Sequence, residues 1–91
     1  MKRVLLIWED AGDLEDGPWT DRADAKPSEP FIFHQVGFLF ELTPDAVVLT
    51  SCVGEHQMAP RTRIPRGMVK SLTELVEGEP VAIPRRKSRK K

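Results

Sequence analysis

Three short apolar runs, separated by turn residues, constrain this chain more than any other feature. They lie between Phe31 and Leu72 and read FIFHQVGFLFEL, AVVLTSCV and TRIPRGMVKSL. Short apolar segments at this spacing are typical of small antiparallel all-β barrels and sandwiches. Eight prolines and six glycines in 91 residues suit such a loop-rich protein better than a helical bundle. The sequence therefore predicts one small β domain, with no obvious room for an active-site cleft.

The N-terminal segment predicts a further strand over Val4 to Trp8. Its apolar run VLLIW ends at Glu9 and Asp10, which makes it too short for a secretory signal peptide. No run approaches the roughly 20 apolar residues of a membrane span. We therefore predict a cytoplasmic protein without membrane contact, and the single Cys52 fits a reducing compartment.

The central hairpin predicts a specific register. Pairing Glu41 with Ala46 puts the apolar residues of the first two runs on one face, as a half-buried sheet requires. The connection is then the four residues 42–45, with Pro44 setting one φ angle. The face predicted to be buried contains Ile32, His34, Val36, Phe38, Phe40, Val47, Leu49 and Val53.

The second half of the chain predicts another hairpin and one ambiguous segment. A turn is expected at residues 54–57, and Pro60 interrupts the next strand, near Met58 to Ile64, which indicates an edge position or a bulge. After the turn at residues 65–67, apolar residues fit a helical stripe, but they also fit a short strand from Val69 to about Leu72. The residues of that stripe are Met68, Val69, Leu72, Leu75 and Val76.

Charge is unevenly distributed, although the formal net charge is zero. Residues 1–30 carry a net charge of −4, and residues 61–91 carry +7. We interpret residues 9–30 as a long acidic surface loop pinned by Trp19. Residues 1–82 are predicted to form the domain, and residues 83–91 a basic, flexible tail.

Parts of the chain resemble known proteins. The segments Gly37-Phe38-Leu39 and Val47-Val48-Leu49, with the run from Ile64 to Val69, resemble small uncharacterised proteins carried by bacteriophages and prophages. More distantly, the last part resembles the second sequence signature of Sm-like proteins, with Pro65 inserted. The residues that match this signature are Ile64, Arg66, Gly67, Val69 and Leu72.

The Sm-like resemblance has consequences for fold and function. It implies an SH3-like or Sm-like barrel of about five antiparallel strands, with the long acidic loop after strand one. It also favours a strand for the ambiguous final segment. Gly37-x-Leu39 and Asp45 match half of the family's first signature, but the chain contains no Asn, which is the base-binding residue of that signature.

Candidate catalytic and metal-binding groups are few. Cys52 and His56 lie on either side of the second turn, and His34 is the other histidine, but the predicted register puts Cys52 and His34 on opposite faces. No nucleophile–base pair, phosphate loop or cofactor motif is visible. We therefore predict no enzyme, no metal and no cofactor. The N-terminal acidic residues are interpreted as a solvated loop rather than a cation site: Glu9, Asp10, Asp13, Glu15 and Asp16.

The basic residues carry the functional hypothesis. An oligomeric, non-enzymatic Sm-like module would use them to contact RNA or DNA phosphates. Its subunits would join through the strand that ends at Ile64. The alternative is a phage-type protein-interaction or structural module with no nucleic-acid role. The predicted nucleic-acid-binding residues are Arg61, Arg63, Arg66, Arg85, Arg86, Lys87, Arg89, Lys90 and Lys91.

Overall fold

The computed structural model describes residues 1–15 and 17–86, and this part of the chain folds into one open sheet of five antiparallel strands. The order of strands across the sheet is β4-β3-β2-β1-β5. A mostly-β fold with five antiparallel strands is therefore confirmed. The elements are β1 Arg3–Asp10, β2 Phe31–Leu42, β3 Ala46–Thr50, β4 Arg61–Pro65, the 3₁₀ turn Arg66–Met68, and β5 Val69–Leu75.

The sheet curls strongly. Strands β4 and β5 lie at its opposite edges, yet only the three residues of the 3₁₀ turn separate them along the chain. In a flat sheet of five strands the two edges would be about 19 Å apart, since neighbouring strands are about 4.8 Å apart. Three residues of 3₁₀ helix rise only about 6 Å. The edges must therefore approach each other at this end of the sheet.

The hydrophobic core lies on one face of the curled sheet, here called the inner face. Side chains from β1, β3 and β4 are fully buried there, although β1 and β3 are not neighbours in the sheet. Curling is what brings these side chains together. The buried cluster is Val4, Leu6, Val47, Leu49 and Ile64, and Trp8, Leu39, Val69 and Leu72 pack against it.

The predicted register of the central hairpin is wrong. Leu39 pairs with Leu49, and a bulge between Leu39 and Glu41 then shifts the pairing by another residue. A slip of one residue exchanges the two faces of a strand. Four residues expected in the core therefore belong to the outer face, together with the exposed His34: Ile32, Val36, Phe38 and Phe40.

A tight turn explains the shift in register. The backbone N–H of Thr43 donates to the carbonyl oxygen of Ala46 at 3.0 Å, which leaves only Pro44 and Asp45 between them. The hydroxyl oxygen of Thr43 accepts hydrogen bonds from the N–H groups of Asp45 and Ala46, at 3.2 and 3.1 Å. Side-chain bonding of this kind replaces the four-residue connection that the sequence predicted.

The predictions for the second turn and for the last two strands agree more closely with the structure. The second turn is closed by a 2.7 Å bond from the N–H of Gly54 to the carbonyl of Gln57. Strand β4 begins at Arg61, so Pro60 precedes the strand and does not interrupt it, and the strand lies at a sheet edge, which is one of the two positions that Pro60 indicated. The ambiguous final segment is strand β5, and it extends to Leu75.

Two long segments leave the sheet. Residues 11–30 connect β1 to β2, and Trp19 within them is 92% exposed, so the prediction that this side chain pins the loop is wrong. Residues 11–30 are rich in charged side chains, and a segment of this kind tends to extend because its like charges repel one another. Residues 76–86, here called the arm, follow β5 without forming a helix or strand, and their apolar side chains are exposed.

Thr50 is the one buried polar residue among the described residues, and its hydroxyl should matter for stability. The hydroxyl donates to the carbonyl oxygen of Ala59 at 2.9 Å and lies 3.3 Å from that of Cys52. Thr50→Val should lower the free energy of unfolding by about 1–3 kcal/mol, because the partly buried carbonyl of Ala59 loses its partner. Urea unfolding measures this loss. The exposed Thr73→Val is the control, and an equal loss in both variants would contradict the assignment.

Candidate functional site

Two of the predicted basic residues share one face of an edge strand. Arg61 and Arg63 alternate along β4, opposite Thr50 and Val48 of β3, so their side chains lie on the outer face. Neither forms an ion pair with any residue that the structure describes. Both guanidinium groups are therefore available to a ligand.

An aromatic ring supports the first of these arginines. The guanidinium carbon of Arg61 lies over the ring of Phe40, 4.8 Å from the ring centroid. Phe40 is the residue at the bulge of β2, and a bulge commonly redirects a side chain. The sequence reasoning missed this contact, because an aromatic residue in an alternating strand usually faces the core. The amino-acid composition of a strand does not reveal a bulge, so the sequence gives no sign that Phe40 faces outwards.

A shallow depression connects the two arginines with β2 and β3. It has a volume of about 380 Å³ and is lined by Glu41, Val48, Arg61 and Arg63. Glu41 contributes one negative charge beside two positive ones. The local excess of positive charge suits a phosphate group, whereas the carboxylate would repel a ligand that covered it.

The other predicted basic residues do not join this site. Arg66 is in the 3₁₀ turn and lines a separate groove, described next. Arg85 and Arg86 are exposed at the end of the arm. Four residues of the predicted set lie outside the described residues: Lys87, Arg89, Lys90 and Lys91.

A second concave surface lies where the curled sheet brings β5 towards the β2–β3 hairpin. We call it the seam groove, and its volume is about 400 Å³. Its apolar lining comes from both sides of the opening: Leu42, Val47, Val69 and Leu72. Arg66 and Lys70 also line it; Arg66 adds a positive charge, and the amino group of Lys70 lies 3.6 Å from the carboxylate of Glu9.

The described chain offers no assembled metal site. Cys52 is exposed and unbonded, His34 lies on the outer face, and His56 is 3.7 Å from the carboxylate of its neighbour Glu55. Within residues 1–15 and 17–86, no three His, Cys, Asp or Glu side chains converge to hold an ion. The same residues include no helix of the length and apolarity needed to cross a bilayer.

A comparison with known proteins finds no matching family, no matching curated protein and no matching solved structure.

Proposed function

We propose that the protein is a non-enzymatic, self-associating module that binds single-stranded nucleic acid through the outer face of β4 and β2. The observation that carries the proposal is the guanidinium of Arg61 over the ring of Phe40, with the unpaired Arg63 two residues further along the strand. Basic groups beside aromatic rings are the usual means by which proteins hold single strands.

Each side chain would have a distinct task. Arg61 and Arg63 would contact phosphates, which also releases counterions from the nucleic acid. The ring of Phe40 holds Arg61 in place, so less side-chain freedom is lost on binding. Unpaired bases stack on arginine and aromatic planes, whereas bases within a duplex are not free to do so. The shallow depression therefore favours a single strand over a duplex.

The curled sheet supports a fold of the SH3-like or Sm-like barrel type for this module. The support comes from the strand order and from the three-residue link between the two edge strands. The basic residues of the arm would add phosphate contacts.

The double variant Arg61→Gln, Arg63→Gln should weaken single-strand binding about tenfold and reduce its salt dependence. Each lost phosphate contact lowers the slope of log K against log salt by about 0.7 for single strands, so two contacts lower it by about 1.4. Fluorescence anisotropy with labelled 20-nucleotide single strands and a matching duplex, over a series of salt concentrations, measures both quantities.

The matched control is Arg22→Gln, Lys26→Gln, which removes two positive charges from the exposed loop after β1. It should leave the salt slope nearly unchanged, since these residues are not on the outer face of β4. Phe40→Leu tests the aromatic support and should weaken binding while keeping the slope. Equal loss in both double variants, or no binding at low salt, would overturn the proposal.

A second candidate is a protein-interaction module with no nucleic-acid role. It is favoured by the apolar outer face of β1 and β2, where Val36 is 64% exposed and Ile32 is also exposed. Exposed apolar side chains that lie together often mark a protein interface. The anisotropy experiment separates the two candidates, because this one predicts no salt-dependent binding of any oligonucleotide.

A further inference from the structure

The arm has the chemical pattern of a strand that pairs on one side only. In an extended chain, the N–H and C=O groups of alternate residues point to opposite sides. Val81 and Ile83 therefore share one hydrogen-bonding side and one side-chain face. Pro80 and Pro84 lie on the other side, where neither has an N–H to donate. Such a segment would add to one sheet edge and stop further addition.

In the described structure the arm neither pairs with a strand nor buries its apolar side chains. Val81 and Ile83 are 86% and 87% exposed, and no backbone pairing involves the arm. The start of the arm is directed towards β1, because Glu77 accepts hydrogen bonds from both terminal guanidinium nitrogens of Arg3 at 3.2 Å. The arm thus leaves β5 on the side away from its open edge.

The open edge of β5 presents backbone N–H and C=O groups that can pair with those of the arm. The N–H of Leu39 donates to the carbonyl of Lys2, so the even-numbered residues of β1 face β2 and the odd-numbered residues face β5. Their β5 partners, Ser71, Thr73 and Leu75, accordingly turn towards β1. The backbone groups of Leu72 and Glu74 then face outwards. Within the described chain, β5 pairs only with β1.

The other open edge of the sheet, that of β4, is less suited to pair with the arm. The N–H of Arg66 donates to the carbonyl of Asp45 at 2.8 Å, so Ile64 and Thr62 face β3. The outward groups of β4 then belong to Arg61, Arg63 and Pro65. Pro65 has no N–H, and charged residues and proline both discourage pairing at an edge. The basic end of the arm would also be repelled there.

We infer that the seam groove binds the arm of a second copy of this chain, which adds to the open edge of β5 as a further strand. A residue of the arm opposite Leu72 would point to the same face as Leu72, that is, into the seam groove. Val81 or Ile83 would then contact Leu42, Val47 and Leu72, which line the groove. Glu79 of the arm complements Arg66 of the groove.

The occupant is a second copy because, among the residues that the structure describes, neither the arm nor the groove of a molecule is paired within that molecule. Exchange of an identical segment between two copies satisfies both and requires no new fold. The inference rests on the self-association part of the proposed function, and it does not depend on nucleic-acid binding.

Val81→Pro should weaken self-association about tenfold or more, because one inward-facing donor is lost and its acceptor is left unpaired. Ala82→Pro is the matched control. It also removes one backbone N–H, one residue further along and on the side that faces away, and should change association by less than about twofold. Sedimentation velocity of the untagged, nuclease-treated full chain over a series of concentrations measures the effect.

A substitution in β5, the strand to which the arm would add, completes the test. Glu74→Pro removes an outward N–H from β5 and should weaken association as much as Val81→Pro does. Mixing the two variants should restore a dimer, since one chain retains the arm and the other retains the edge. Circular dichroism shows that each variant remains folded.

Three results would overturn the inference. An oligomer that Val81→Pro leaves intact would keep self-association but place it elsewhere. A monomer at a few hundred micromolar would remove both the arm exchange and self-association. A monomer with slow hydrogen exchange at Val81 and Ile83 would show that the chain's own arm fills its groove. Binding of labelled single strands is measured separately, so its outcome is distinguishable from all three.

Discussion

Leu49→Ala should lower the free energy of unfolding by about 2–5 kcal/mol. Leu49 is fully buried, and it belongs to a cluster of only five buried apolar side chains. Because these side chains come from three strands around a curled sheet, neighbouring groups have little freedom to fill the space left by the substitution. Domains of ordinary stability unfold with about 5–15 kcal/mol, so this one truncation would remove a large share. Urea unfolding followed by tryptophan fluorescence measures it.

Val36→Ala is the matched control, because it distinguishes the two registers of the central hairpin. In the register predicted from the sequence, Val36 is a core residue and its truncation would cost about as much as other large-to-small changes. In the structure Val36 lies on the outer face and is 64% exposed, so its truncation should change stability by about 0.5 kcal/mol or less. A large loss in Val36→Ala with a small loss in Leu49→Ala would contradict the observed register.

The sequence predicted the strands well because their signals are local. Apolar runs and turn residues indicated the first four strands, whereas the spacing of the last segment fitted both a helix and a strand, and only the Sm-like resemblance favoured the strand that is β5. Pro60 indicated either an edge position or a bulge, and β4 is an edge strand. The register of the central hairpin could not be predicted from these local signals. It depends on hydrogen bonds to the hydroxyl of Thr43 and on a bulge at Phe40, which only the folded structure shows. Two faces that are both apolar, as in β2, gave no pattern from which to choose.

The candidate site was predictable only in part, for the same reason. Strand alternation was enough to place Arg61 and Arg63 on one face. The supporting ring of Phe40 was assigned to the core with the rest of its face, so the aromatic component of the site was missed. The seam groove depends on the curling of the sheet, which joins residues far apart in the sequence, and the spacing of residues carries no direct sign of it.

Gly37→Ala should lower the free energy of unfolding by about 1–3 kcal/mol, because the added methyl group overpacks the inner face. A Cβ at this position would lie 3.1 Å from the carbonyl oxygen of Thr50 and 3.6 Å from the Cβ of Leu49. That carbonyl cannot move away cheaply, since Thr50 is buried, pairs with both β2 and β4, and is fixed by its own hydroxyl bond to Ala59. Gly37 also lies where β2 passes from pairing with β1 alone to pairing with β3, so the contact is built into the bend of the sheet.

Gly67→Ala is the control that separates this steric effect from the general effect of replacing glycine. No atom lies within 4 Å of a Cβ built at Gly67, and neither glycine has a positive φ angle. Gly67→Ala should therefore stabilise the protein by about 0.4–1 kcal/mol, because it restricts the unfolded chain. The two variants should shift the melting temperature in opposite directions, by about 4–8 °C for each kcal/mol in a domain of this size. A stabilising Gly37→Ala would mean that β3 can shift away from β2, and would contradict the close packing of the two strands at this bend.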